Sequence, residues 1–177
     1  MPVQHNIQKL SRRLLVVLWV ILISTPVSIS FLWFYGTLAE SASWVTMEFS
    51  YEMDLPFSVT QTLIGYPFVL IPSLVYTAII WQLIRLFGLY RAGDIFTFSN
   101  VSCFRKMANL MIASPFVSAI SDILLGLALS IGQEDFTTGI TIDDSDMTLL
   151  VVGLIVRAIS HVMMLAKDIK EENELTV

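Results

Sequence analysis

Apolar and polar positions divide this chain into four long hydrophobic stretches, three polar connections and two polar ends. The first stretch, Leu14 to Tyr35, reads LLVVLWVILISTPVSISFLWFY, 22 residues without a charge. The others cover 63–87, 107–131 and 148–166. The hydrocarbon core of a bilayer is about 30 Å thick and takes about 20 apolar residues of helix to cross. The pattern therefore predicts an all-α integral membrane protein with four transmembrane helices in a single domain, residues 1–177. A secretory signal has an apolar region of only about 7–15 residues followed by a small-residue cleavage site. The first stretch is longer and ends in Trp33, Phe34 and Tyr35, side chains that favour the membrane interface, so it reads as an uncleaved span. Pro26 is expected to bend the first span. Pro67 and Pro72 lie in the second, where Pro72 removes the backbone bond to the Phe68 carbonyl and predicts a kink.

The polar connections have patterns of their own. In 36–62, Val45, Met47, Phe49, Tyr51 and Met53 alternate with Thr46, Glu48, Ser50, Glu52 and Asp54, the period-2 signature of a half-buried strand that Pro56 would end. In 132–147, Thr138, Ile140 and Ile142 alternate with Gly139, Thr141 and Asp143. Pairing these two segments predicts a small β-hairpin-like cap outside the membrane. The connection 88–106 has a helix breaker at Gly93 and helix caps in Thr97 or Ser99. Phe96, Phe98 and Phe104 are placed there to enter the headgroup layer. A polar tail, 167–177, closes the chain.

Charge orients this scheme. Hydrophobic residues make up 55% of the chain and charged residues 14%, against about 25% in an ordinary soluble domain, so lipid must serve as part of the solvent. The net charge of −5 hides a segregation. Lys9, Arg12 and Arg13 precede the first span. Arg85, Arg91, Arg105 and Lys106 lie between the second and third, Arg157 in the fourth, and Lys167 and Lys170 in the tail. The connections 36–62 and 132–147 have carboxylates but no Lys or Arg. Positive residues favour the cytoplasm, which puts both termini, the 88–106 connection and the tail inside. A basic patch suited to nucleic acid is absent. Cys103 is the single cysteine, which excludes an internal disulfide framework.

Two charges fall inside apolar stretches. Asp122 and Arg157 each lie nine or ten residues from the far end of their spans, which predicts a common depth and a mutual pairing. A lone charge at the bilayer centre costs about 2.5–3.5 kcal/mol or more, so a partner is required. Ser114, Ser118, Asp122 and Gly126 recur every fourth residue, as do Gly153, Arg157 and His161, and such rows form helix-packing ridges. The cluster Asp122, Arg157, His161 and Ser118 reads either as a clamp fixing the register of two helices or as a proton or ion relay. Enzyme chemistry has little support. Ser118, Ser121 and His161 lack a nucleophile elbow, and there is no His-Glu-x-x-His, Cys pair or phosphate loop. The carboxylates Asp143, Asp144 and Asp146 lack the glycine and the distant bidentate Glu of a calcium loop. No metal or cofactor is expected.

Two passages resemble a bacterial membrane family catalogued as domain of unknown function 2975. The first is LYRAGDIFTFSNVSCFRKMANL, similar to the family's Gly-x-x-Phe-(Ser/Thr)-x-x-Asn-Val pattern at Gly93, Phe96, Thr97, Asn100 and Val101, followed by Arg105 and Lys106. The second is the end of the chain, similar to a closing Leu-x-x-Glu-x-(Glu/Asp)-Leu-Thr-Val pattern. Ile169 stands there in place of Leu, followed by Glu172, Glu174, Leu175, Thr176 and Val177. The resemblance implies a four-span protein of the bacterial cytoplasmic membrane, often encoded beside a small cytoplasmic helix-turn-helix regulator. The function expected is non-enzymatic regulation. The protein would bind or sequester such a regulator through Arg91, Arg105, Lys106, Glu172, Glu174, Leu175 and Val177, with no direct contact to nucleic acid. The alternatives are a small transporter or channel component, homo-oligomeric and using Asp122, Arg157 and His161, or an envelope sensor.

Overall fold

The computed structural model describes residues 2–38, 57–93, 97–130, 139 and 143–175, with side chains placed for 12–38, 57–93, 97–130, 139 and 143–169. Four α-helices account for nearly all of them: α1 Pro2–Leu38, α2 Val59–Ala92, α3 Phe98–Leu129 and α4 Asp144–Leu175. Each contains a segment long and apolar enough to cross a membrane. The helices overrun the apolar stretches at both ends because propensity and capping, not hydropathy, set where a helix stops. No strand occurs among the described residues. The segments expected to form the β-hairpin-like cap, Val45–Met53 and Thr138–Asp143, lie outside the described residues apart from Gly139 and Asp143.

Local chemistry explains the boundaries. Ser58 opens α2 with a reciprocal capping box: its hydroxyl accepts from the Gln61 N–H, and the Gln61 side chain accepts from the Ser58 N–H. Gly93 closes α2 in the left-handed region at φ 94°, a conformation costly for a residue with a Cβ, and its N–H returns to the carbonyls of Leu89 and Tyr90. The expected break at Gly93 is thus observed. Thr97 is the N-cap of α3, but it acts through its backbone: its carbonyl accepts from Asn100 and Val101 while its hydroxyl makes no cap bond. Pro26, Pro67, Pro72 and Pro115 all lie inside continuous helices. Membrane helices tolerate them because neighbours re-satisfy the freed carbonyls.

The helices pack antiparallel in chain order: α1 on α2, α2 on α3, α3 on α4. Among the described residues α1 and α4 do not meet, so the bundle is open and these two helices form its edges. Trp33, Phe57, Leu125 and Leu129 make a buried core where the first three helices converge. The Trp33 indole donates to the Thr62 carbonyl at 3.0 Å, and Ser30 and Tyr66 share a hydroxyl bond at 2.8 Å. At the opposite end Trp19 meets Trp81 edge to face, centroids 5.8 Å apart. Small residues set the helix spacing. A Cβ on Gly65 would lie 2.8 Å from the Trp33 ring and 3.0 Å from a Leu125 methyl. One on Gly153 would lie 3.0 Å from the Met111 Cβ and 3.1 Å from the Ile112 backbone nitrogen. Buried Thr37, Thr62, Ser73, Ser114 and Ser121 line the same interfaces, as small polar residues do in membrane bundles. Val16, Val20, Ile23, Val27 and Phe31 on α1, and Val151, Leu154, Ile155 and Val162 on α4, are exposed. Apolar surface on that scale requires lipid rather than water.

Candidate functional site

The register of these contacts decides which polar groups share a level. The Gln61 side chain reaches the Leu129 carbonyl at 3.5 Å. From there Arg85 and Arg105 lie equal distances along antiparallel α2 and α3 and come level. Through the Trp19–Trp81 contact, Arg12 and Arg13 of α1 fall within about one turn of the same level. On the other side, the Ser160 hydroxyl donates to the Val101 carbonyl at 3.4 Å, and the Arg157 guanidinium donates to the Asn109 side-chain oxygen at 3.1 Å. Arg157 and His161 therefore bracket Arg105. A belt of cations crosses all four helices at one level, and its end of the molecule is called the basic end below.

This register overturns the expected pairing of Asp122 with Arg157. Asp122 lies 13 residues beyond Asn109 on α3, about 20 Å along the helix axis. It comes level with the first turn of α4 near Asp144, at the acidic end of the molecule. Equal counts from the hydropathy edges of the two spans implied equal depth. In fact α3 overhangs the start of α4, because Gly153 is seated against Met111 and Ile112 rather than farther along. Ser118, half-buried and one turn from Asp122, is likewise remote from Arg157. The four-residue cluster is thus two separate groups, Asp122 with Ser118 and Arg157 with His161, and a continuous relay through them has no geometric basis.

Arg157 and His161 belong instead to a partly open cleft of about 120 Å³ between α3 and α4, lined by Val101, Arg105, Arg157, Ser160, His161 and Met164. On α3, Val101, Arg105 and Asn109 recur every fourth residue. On α4, Gly153, Arg157 and His161 do the same, so the cleft lies between two facing ridges. Val101 and Ser160 are buried and close its floor, whereas Arg105, Arg157 and His161 are exposed. Among the described residues no acidic side chain lines it. The bond from Arg157 to neutral Asn109 orients the guanidinium without neutralising it.

The other sequence candidates distribute along the basic end. Arg91 is in the last turn of α2, and Lys106 is exposed on α3 beside Arg105. Glu172, Glu174 and Leu175 lie on the final turns of α4, and Val177 is outside the described residues. Cys103 is buried in the α3 wall. Sequence reasoning missed Asn109 and the contact of Ser160 with Val101. The four-residue row running from Arg105 to Asn109 was the available signal. Among the described residues no three His, Cys, Asp or Glu side chains gather where a metal could be held.

The family model described as protein of unknown function (DUF2975) matches residues 37–177, and the chain belongs to that family. The match covers α2, α3, α4 and hence the whole cleft. No curated protein and no solved structure matches this chain.

Proposed function

We propose that this protein is a non-enzymatic docking subunit of the bacterial cytoplasmic membrane, with both termini inside, that binds and sequesters a small basic DNA-binding regulator at its basic end. The observation that carries the reading is the length of α4. The start of α3 at Phe98 comes level with residues near 165, yet α4 continues to Leu175, about 15 Å farther. That projection is helical and acidic. Asp168, Glu171, Glu172 and Glu174 outnumber Lys167 and Lys170, while Ile169 and Leu175 supply apolar positions. A helix buried in lipid has no use for such a sequence, and a helix lying on anionic headgroups would favour Lys and Arg.

The mechanism is competition. A DNA-binding domain carries a basic surface that meets phosphate, and an acidic helix of matched spacing occupies the same surface. The belt at Arg85, Arg105 and Lys106 supports the inside placement of this end, since Lys and Arg near span ends favour the cytoplasm. The family resemblance, with its neighbouring helix-turn-helix regulators, supports the class of partner. The test is to purify the full chain and a form ending before Glu171 from the native membrane and to identify what accompanies each. A helix-turn-helix protein held by the full chain and lost on truncation supports the proposal. Retention of no cytoplasmic protein by either form refutes it.

A further inference from the structure

The cleft between α3 and α4 is not used by the docking reading, which rests on the projecting end of α4. Arg105 and Arg157 line one small space with His161, and among the described residues no carboxylate lines it. Val101, in the cleft floor, is in the first turn of α3, where the helix dipole adds positive potential. Asn109, outside the lining, accepts a hydrogen bond from the Arg157 guanidinium and so helps to orient it. We propose that this cleft binds a phosphate-bearing anion, either the headgroup of an anionic phospholipid or free phosphate.

The chemistry selects phosphate over a simple carboxylate. One guanidinium already satisfies a carboxylate by a two-bond fork, whereas two guanidiniums and an imidazole match an anion with three or four oxygens. The cleft's volume of about 120 Å³ is well below the roughly 300–1,000 Å³ of ordinary ligand pockets, so it suits a single phosphate group rather than a large metabolite. The level also fits. Arg105 lies in the cation belt, about 25 Å along α3 from Asp122, so the cleft opens near one edge of a hydrocarbon slab about 30 Å thick. Lipid phosphates occupy that depth. A bound anion would neutralise Arg105 and Arg157, beside which no described carboxylate lines the cleft, and would fasten α4 to α3, its one helix neighbour among the described residues.

The experiment uses the full chain in nanodiscs of phosphatidylcholine alone or with added phosphatidylglycerol, and reads retained lipid by native mass spectrometry. Inorganic phosphate is titrated separately into the phosphatidylcholine sample and followed by phosphorus NMR. The variants are Arg105→Gln, the double variant Arg105→Gln/Arg157→Gln, and Lys106→Gln as a neighbouring charge outside the cleft. Retention of phosphatidylglycerol that falls roughly tenfold or more in Arg105→Gln but not in Lys106→Gln identifies a headgroup site. Phosphate binding with the same variant pattern, in the absence of phosphatidylglycerol, identifies a free-phosphate site. Arg105 is exposed at the cleft, so its single variant keeps the test valid should the double variant fail to fold. Binding of neither probe, or equal losses in Arg105→Gln and Lys106→Gln, overturns the proposal.

Discussion

Replacing Gly153 by Ala tests the packing that builds the cleft. The new Cβ would stand 3.0 Å from the Met111 Cβ and from Ile112 Cγ1, and 3.1 Å from the Ile112 backbone nitrogen. A side-chain tip can swing aside, but a backbone nitrogen inside α3 cannot, so α4 itself must move outward. Overpacking of this kind costs about 1–3 kcal/mol. Alanine returns up to about 1 kcal/mol in helix propensity, which leaves a net loss between about 0 and 3 kcal/mol. Gly88 supplies the control, because a Cβ there would meet nothing within 4 Å. Gly88→Ala should be neutral or stabilising by up to about 1 kcal/mol. The assay is thermal unfolding of both variants in one detergent, read as the difference between them. The expected gap is about 1–3 kcal/mol, with Gly153→Ala the weaker and its Arg157–Asn109 bond lengthened. Gly153→Ala unfolding at or above the temperature of Gly88→Ala would refute the close approach of α3 and α4.

Three further outcomes follow from the same geometry. A double-mutant cycle on Asn109→Ala and Arg157→Ala should show coupling of about 0.5–2 kcal/mol, while Asp122→Ala and Arg157→Ala should add within about 0.5 kcal/mol, measured by unfolding in detergent. Ser58→Ala removes the hydroxyl that accepts from the Gln61 N–H, and should lower stability by about 0.5–2 kcal/mol in the same assay. Ending the chain before Glu171 removes a segment that projects past α3, so the unfolding midpoint should stay within the equivalent of about 0.5 kcal/mol of the full chain.

Much of this architecture is legible in the residues because membrane helices are encoded locally. The apolar length of Leu14 to Tyr35 and of the three later stretches specifies four spans, since the bilayer fixes the length required. Gly93 ends α2 for a reason carried by one residue, its tolerance of positive φ. The register between α3 and α4 is not local. It depends on which residues of α3 the bare backbone at Gly153 is pressed against, and hydropathy edges carry no record of that contact. Counting from those edges consequently paired Asp122 with Arg157 and passed over Asn109, a single neutral residue in an apolar run. Aligning the helices by their cations recovers the observed level, because Arg85 and Arg105 must both reach a polar boundary that a chain of this length cannot avoid. The alternation in Val45–Met53 concerns residues outside the described structure.

The central claim is that the cation belt and the projecting end of α4 face the cytoplasm, where a regulator can reach them. Single-cysteine labelling in intact cells tests it most directly. Cys103, buried in α3, is first changed to Ser, and then Glu174→Cys or Asp143→Cys is introduced, one at each end of the molecule. The account predicts that a membrane-impermeant maleimide labels Asp143→Cys in intact cells and labels Glu174→Cys only after the membrane is opened. Labelling of Glu174→Cys from outside intact cells would contradict the orientation and, with it, the docking of a cytoplasmic partner.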